Sequence, residues 1–152
     1  MDFISLLGLV GIAISVYAIY VESSSRKSPK DKKFVAYCDM NESASCSLVL
    51  TSTYSRLGEV YLGLSKDSIF NWPNTYYGLL FYIAVTIYPV YPFTLIPFRE
   101  VLFFGASIMS IGICCLLAYI LYFKLNNFCA VCVASYIVNT LILYQAYKEL
   151  FL

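Results

Sequence analysis

A chain of 152 residues that is 61% hydrophobic and only 12% charged is not composed like a soluble domain. It contains no histidine, which excludes catalytic triads, histidine general bases and zinc–histidine sites. The formal net charge is +1, and nucleic acid is not an expected partner.

The charges are clustered, leaving uncharged runs of 19, 31, 23 and 23 residues. A helix needs about 20 apolar residues to cross the hydrocarbon core of a bilayer. The pattern therefore predicts an all-α integral membrane protein with four transmembrane helices, over residues 4–20, 75–91, 101–123 and 128–147. The first run has no basic residues ahead of it and no small-x-small cleavage site behind it, so it reads as a helix and not as a signal peptide. The whole of 1–152 reads as a single membrane domain, with one long polar loop, 22–73, inside it.

That loop opens with the basic stretch SSSRKSPKDKK and passes through CDMNESASC. It then enters SLVLTSTYSRLGEVYLGL, where Leu48, Val49, Leu57, Val60 and Leu64 recur irregularly. The irregular recurrence predicts one or two short helices at the membrane surface and not another span. In FNWPNTYYG, Trp72, Tyr76 and Tyr77 suit an interfacial aromatic belt, and Pro73 suits the boundary just before a helix. The three prolines of YPVYPFTLIP end the second helix. Short turns at 99–100 and 124–127 make the third and fourth helices antiparallel neighbours.

An even number of spans puts both termini on one side, and the large loop on the other with the turn at 124–128. Most of the Lys and Arg residues lie in the loop, which by the positive-inside rule would make it cytoplasmic. Against this, the loop carries a C-x7-C pair and the sequon Asn41-Glu42-Ser43, both suited to an oxidising lumen. The lumenal orientation is favoured, with Asn41 as a glycosylation candidate and the termini cytoplasmic.

There are six cysteines. Cys114 and Cys115 fall mid-span and read as packed small hydrophobes. Cys129 and Cys132 form a C-x-x-C at the start of the fourth helix. With Asn126 or Asn127 as N-cap, Cys129 lies in the first turn and Cys132 one turn deeper on nearly the same face. The positive end of the helix dipole would lower the thiol pKa there. This pair suits three readings. It can pass electrons between a water-side dithiol and a lipid-soluble substrate. It can be half of a zinc site with Cys38 and Cys46, although C-x7-C is a poor zinc half-site. It can be a palmitoylation or packing site. Reduction of a quinone or epoxide needs donors for the oxygen that gains charge. Asn74 and Tyr136, the latter at i+4 from Cys132, are placed to serve, or to be ordinary interfacial polar residues.

CDMNESASC in the loop, FNWPNTYYG opening the second helix and FCAVCVASYIVN opening the fourth together resemble the vitamin K epoxide reductase family in order and spacing. The resemblance covers nearly the whole chain. It implies that Cys129 and Cys132 are the active-site pair, with Cys132 facing substrate. It implies that Cys38 and Cys46 are a shuttle pair, with Cys46 exchanging with Cys129. Asn74 and Tyr136 match the residues that hydrogen-bond the quinone or epoxide oxygens. Ser52, Leu50 and Phe81 match pocket positions. Two cap positions depart from the family pattern: Leu50 stands where an aromatic residue is common, and Tyr54 where a membrane-anchoring tryptophan is common.

The implied activity is reduction of vitamin K 2,3-epoxide and quinone to hydroquinone in the endoplasmic reticulum membrane. Vitamin K is the substrate, and no tightly bound cofactor is expected. The implied partners are a lumenal thioredoxin-fold oxidoreductase, the lipid bilayer and coumarin inhibitors such as warfarin. The same parts would serve a quinone-dependent thiol oxidase. A tetraspanin-like scaffold with a structural Cys38–Cys46 disulfide is the non-enzymatic alternative.

Overall fold

In a computed structural model, residues 2–27, 39, 46–65 and 67–152 are described, and among them all regular structure is helical. Cys38 and Asn41 lie outside the described residues.

Helix α1, Phe3–Lys27, is longer than the uncharged run at its start. It continues through Glu22 and Arg26 because these form an i, i+4 ion pair at 3.2 Å, and because Arg26 and Lys27 complement the negative end of the helix dipole. The polar loop supplies two short helices, α2, Cys46–Leu50, and α3, Leu57–Leu62, joined through a 3-10 turn at Thr53–Ser55. Gly63 ends α3 at φ +64, a left-handed position that glycine occupies without strain.

Helix α4, Asn74–Ile87, follows Pro73 directly, as expected. Its C-terminus does not match expectation. The helix stops four residues before position 91, because Pro89 has no N–H with which to extend the ladder. Fourteen residues rise about 21 Å, short of the roughly 30 Å hydrocarbon core. Among the described residues, three helices are long and apolar enough to cross a membrane: Phe3–Lys27, Arg99–Lys124 and Ala130–Phe151. The second of these is α5, Arg99–Tyr119, which continues as a π-helical turn at Ile120–Lys124. The third is α6, Ala130–Phe151.

Helix α1 packs most extensively on α4, α5 packs on α6, and α1 also packs on α6. Lipid offers no hydrophobic drive for helix association, so small residues and interhelical hydrogen bonds must supply it. Both occur between α1 and α4. A Cβ at Gly8 would come within 2.8 Å of the Thr86 backbone nitrogen, and one at Gly11 would overlap the Tyr82 ring. The Ser5 hydroxyl donates to the Thr86 carbonyl at 3.1 Å. At the other end of the pair, Thr75 Oγ1 donates to the buried Glu22 carboxylate at 3.1 Å.

Two apolar cores result. One joins Ile4 and Leu7 of α1, Tyr82 and Val85 of α4, Phe103 of α5, and Val138, Ile142 and Ala146 of α6. The other joins Ala18 and Val21 of α1, Cys46 and Leu50 of α2, Leu121, and Cys129. The start of α1 and the end of α6 share the first core, so both chain ends lie at one end of the molecule. Cys46 and Cys129 lie at the other.

Candidate active site

The turn between α5 and α6 differs from expectation and so re-seats the cysteines. Asn126 adopts a left-handed φ of +46, and the Asn127 side-chain oxygen accepts from the Phe128 N–H at 2.9 Å. Neither asparagine caps α6. Cys129 does: it is extended, at φ −126 and ψ 108, and its Sγ accepts the Cys132 N–H at 3.3 Å. The sulfur thus occupies the place where a side-chain oxygen usually satisfies a free helix N–H.

Cys46, the first residue of α2, packs into the same cluster, and both it and Cys129 have 0% exposure. Asp39 holds α2 in place, since its carboxylate accepts from both the backbone N–H and the hydroxyl of Ser47. Cys132 packs against this cluster from the cavity side. Cys114, Cys115, Cys129 and Cys132 are free thiols.

The expected lowering of the Cys129 pKa is reversed. The hydrogen bond shared with the Cys132 thiol holds the Cys129 thiol above its ordinary value, and burial adds to the effect. Cys46 pulls the other way through a hydrogen bond of its own. Burial and a neighbouring thiol outweigh the dipole, because the charged form loses water that the helix end does not replace.

Behind these sulfurs is a mostly apolar cavity of about 1100 Å³. It lies where α4 makes only sparse contact with α5 and α6. Cys132 and Tyr136 of α6, Asn74 and Phe81 of α4, and Leu50 and Ser52 of the polar loop all line it. The structure therefore brings together every described residue expected at the substrate pocket. Asn74 Nδ2 donates to the Tyr54 carbonyl at 3.3 Å, and the Ser52 hydroxyl donates to the Val49 carbonyl at 2.7 Å. Arg26 reaches the Ser55 hydroxyl at 3.4 Å, which ties the loop to α1.

Sequence reasoning missed one group on the cavity wall. Cys114 is more than a packed hydrophobe: Asn139 Nδ2 donates to its sulfur at 3.2 Å, and Ser110 donates to Asn139 Oδ1 at 3.0 Å. All three line the cavity. Asn139 is seven residues beyond Cys132, on the same helical face, and that spacing was the available signal. Among the described residues no group of three or more metal-ligating side chains comes together, so the zinc reading gains no support there.

The arrangement can carry out thiol–disulfide exchange. Cys46, Cys129 and Cys132 run from the polar loop to the cavity, so a redox equivalent can pass between the two without meeting bulk water.

A family model described as the vitamin K epoxide reductase family matches residues 3–147. The chain is 31% identical over 144 residues to "Vitamin K epoxide reductase complex subunit 1" of Mus musculus. It is also 31% identical over 144 residues to the protein of the same name from Rattus norvegicus. Each comparison covers 94% of this chain and 86% of the relative.

Proposed function

The chain belongs to the vitamin K epoxide reductase family, and we propose that within it the protein reduces vitamin K epoxide and quinone through a four-cysteine relay. At family level it is a membrane oxidoreductase. The observation that carries the finer reading is the juxtaposition of Cys46 and Cys129, both fully buried, with Cys132 facing an apolar cavity of about 1100 Å³.

In this reading the ring of the substrate seats beside Cys132. The Cys132 thiolate attacks the ring, and Asn74 and Tyr136 donate to the oxygen that gains charge. Cys129 displaces the ring from Cys132. A Cys129–Cys132 disulfide forms, and the two thiol protons end on the product. An epoxide yields quinone and water, and a quinone yields hydroquinone. Cys46 then attacks Cys129 and frees Cys132. Cys38 resolves that mixed disulfide to Cys38–Cys46. A thioredoxin-fold partner reduces this last pair, so the electrons enter from the lumen. The location is the endoplasmic reticulum membrane, with the termini cytoplasmic and the polar loop capping the cavity on the lumenal side. Leu50, Ser52 and Phe81 shape the pocket, and coumarins such as warfarin compete for it.

The test is reduction of vitamin K epoxide by purified protein in detergent, driven by a small dithiol. Cys132→Ser is expected to be inactive, and Cys38→Ser active, because a small dithiol bypasses the shuttle. Turnover of quinone without epoxide would assign the chain to thiol oxidation instead. Activity in Cys132→Ser would remove the relay.

A further inference from the structure

The cysteine relay makes no use of Glu22. This residue lies toward the C-terminal end of α1, where the helix dipole does not favour negative charge, and it is only 4% exposed. Burying a carboxylate costs free energy that a single ion pair often fails to offset, and an apolar side chain of similar size would pack α1 as well. A charge kept in such a place calls for a reason.

Its two oxygens have different partners. Oε1 accepts from Arg26 Nε at 3.2 Å and lies 3.2 Å from Arg26 Nη2. Oε2 accepts from the Thr75 hydroxyl at 3.1 Å. Arg26 Nη2 in turn reaches the Ser55 hydroxyl at 3.4 Å. Thr75 follows Asn74 in the chain, and Ser55 follows Tyr54. Asn74 Nδ2 donates to the Tyr54 carbonyl at 3.3 Å. These bonds close a ring. It runs from Glu22 to Thr75, back one residue to Asn74, across to Tyr54, on one residue to Ser55, and through Arg26 to Glu22 again. Tyr54, Ser55, Asn74 and Thr75 all line the large cavity.

The ring supplies what the start of α4 lacks. Asn74 is the first residue of that helix, and Pro73 before it gives no side-chain cap. An uncapped first turn frays. The bond from Thr75 to Glu22 holds the turn in one place, and the Tyr54 carbonyl takes one of the two Asn74 amide N–H groups. The second N–H is not engaged among the described residues and can be offered to a ligand. An amide pinned at one N–H and free at the other is a donor of fixed direction. Such a donor contributes most to catalysis when its direction is set before the reaction begins.

We propose that Glu22 is a positioning residue: through Thr75 and the Arg26–Ser55 bond it fixes the point from which Asn74 donates to the oxygen of the bound ring. This rests on the role given to Asn74 above. Glu22→Gln keeps an oxygen for Thr75 but turns an amide NH2 toward Arg26, donor against donor, so the ring opens. Thr75→Val removes one bond and keeps the shape of the side chain.

The test is infrared spectroscopy of vitamin K quinone, isotope-labelled at its carbonyls and bound to purified protein in detergent with no dithiol present. In the wild type one carbonyl band is expected at lower frequency than in detergent alone. Asn74→Ala is expected to lose that shift, and Glu22→Gln and Thr75→Val to lose most of it. Thr75→Ser, which keeps the hydroxyl, is expected to retain it. With a small dithiol, Glu22→Gln and Thr75→Val are expected to lower kcat about tenfold while KM changes by less than about twofold. A purely structural role would lower the thermal midpoint and leave the band in place. If Asn74→Ala loses the shift while Glu22→Gln and Thr75→Val both keep it, the proposal is overturned and the redox reading stands. A wild type with no shifted band, or a shift that survives Asn74→Ala, removes Asn74 from the site and the proposal with it.

Discussion

The two ends of the molecule are held together by different polar groups. At the cysteine end the groups that hold the site in place are partnered within the chain, while Ser25 Oγ and Asn71 Oδ1 have no hydrogen-bond partner among the described residues. Glu22 is held by Arg26 and Thr75, α2 by Asp39, and the first free N–H of α6 by the Cys129 sulfur. At the Arg99 end the Tyr88 hydroxyl has no partner among the described residues, and Asp2 and Glu149 line the same cavity as Arg99, which pairs with Glu100. The first end is organised to keep water away from sulfur.

Breaking the cysteine end is expected to give the largest effect. In the proposed relay, Cys132→Ser is expected to lower turnover on the order of a thousandfold or more with any electron donor, since the group proposed to meet substrate is gone. Steady-state kinetics with a small dithiol checks this. Cys46→Ser separates entry from chemistry: activity with a thioredoxin-fold protein is lost, and activity with a small dithiol is kept. Next comes the seam between the two ends. Gly11→Val drives a side chain into the Tyr82 ring and costs about 2–3 kcal/mol, read as a lower thermal midpoint in detergent. Asn139→Leu removes the bonds to Cys114 and Ser110 and costs about 1 kcal/mol, read by the same measurement.

The smallest effect is the most diagnostic of the sulfur row. Because Cys132 and burial hold the Cys129 thiol above its ordinary value, it stays protonated at neutral pH. Its alkylation by iodoacetamide is expected to rise about tenfold per pH unit between about pH 7 and 9, followed by peptide mass spectrometry. Cys46→Ala removes the neighbour that pulls the value down, so the same reaction slows a few-fold. The sign for stability follows. The folded chain keeps this proton more tightly than the unfolded one, whose thiol titrates near about 8.5, so stability present at neutral pH is lost as pH rises beyond that.

The sequence was readable wherever a single helix decides the outcome. Runs without charge located α5 and α6 to within a few residues, and the spacing of Cys132 and Tyr136 put both on one face before any fold was known. It was less readable where two elements compete. Asn126 and Asn127 are both good caps, but a left-handed turn claims one and the Phe128 N–H claims the other, so the cap passes to Cys129. The prolines after α4 were visible, yet not how many residues before them the helix would stop. The bond between Asn139 and Cys114 crosses from α6 to α5, and no local pattern encodes a partner 25 residues away on another helix. The dipole argument at Cys129 failed because it weighed the helix end alone and not the hydrogen bond shared with Cys132 or the burial of the sulfur.

The shortness of α4 has a consequence for where the protein can reside at least cost. Its roughly 21 Å of rise ends in a turn, 88–98, that carries exposed apolar side chains and irregular backbone. A thick, sterol-rich bilayer would bathe that turn in hydrocarbon, where unpaired peptide groups are costly. A thinner bilayer would meet it with headgroups and water. Hydrophobic mismatch of this kind costs only fractions of a kcal/mol per ångström, but it acts on every molecule at all times. A helix of that length is matched to a thin membrane better than to a thick one.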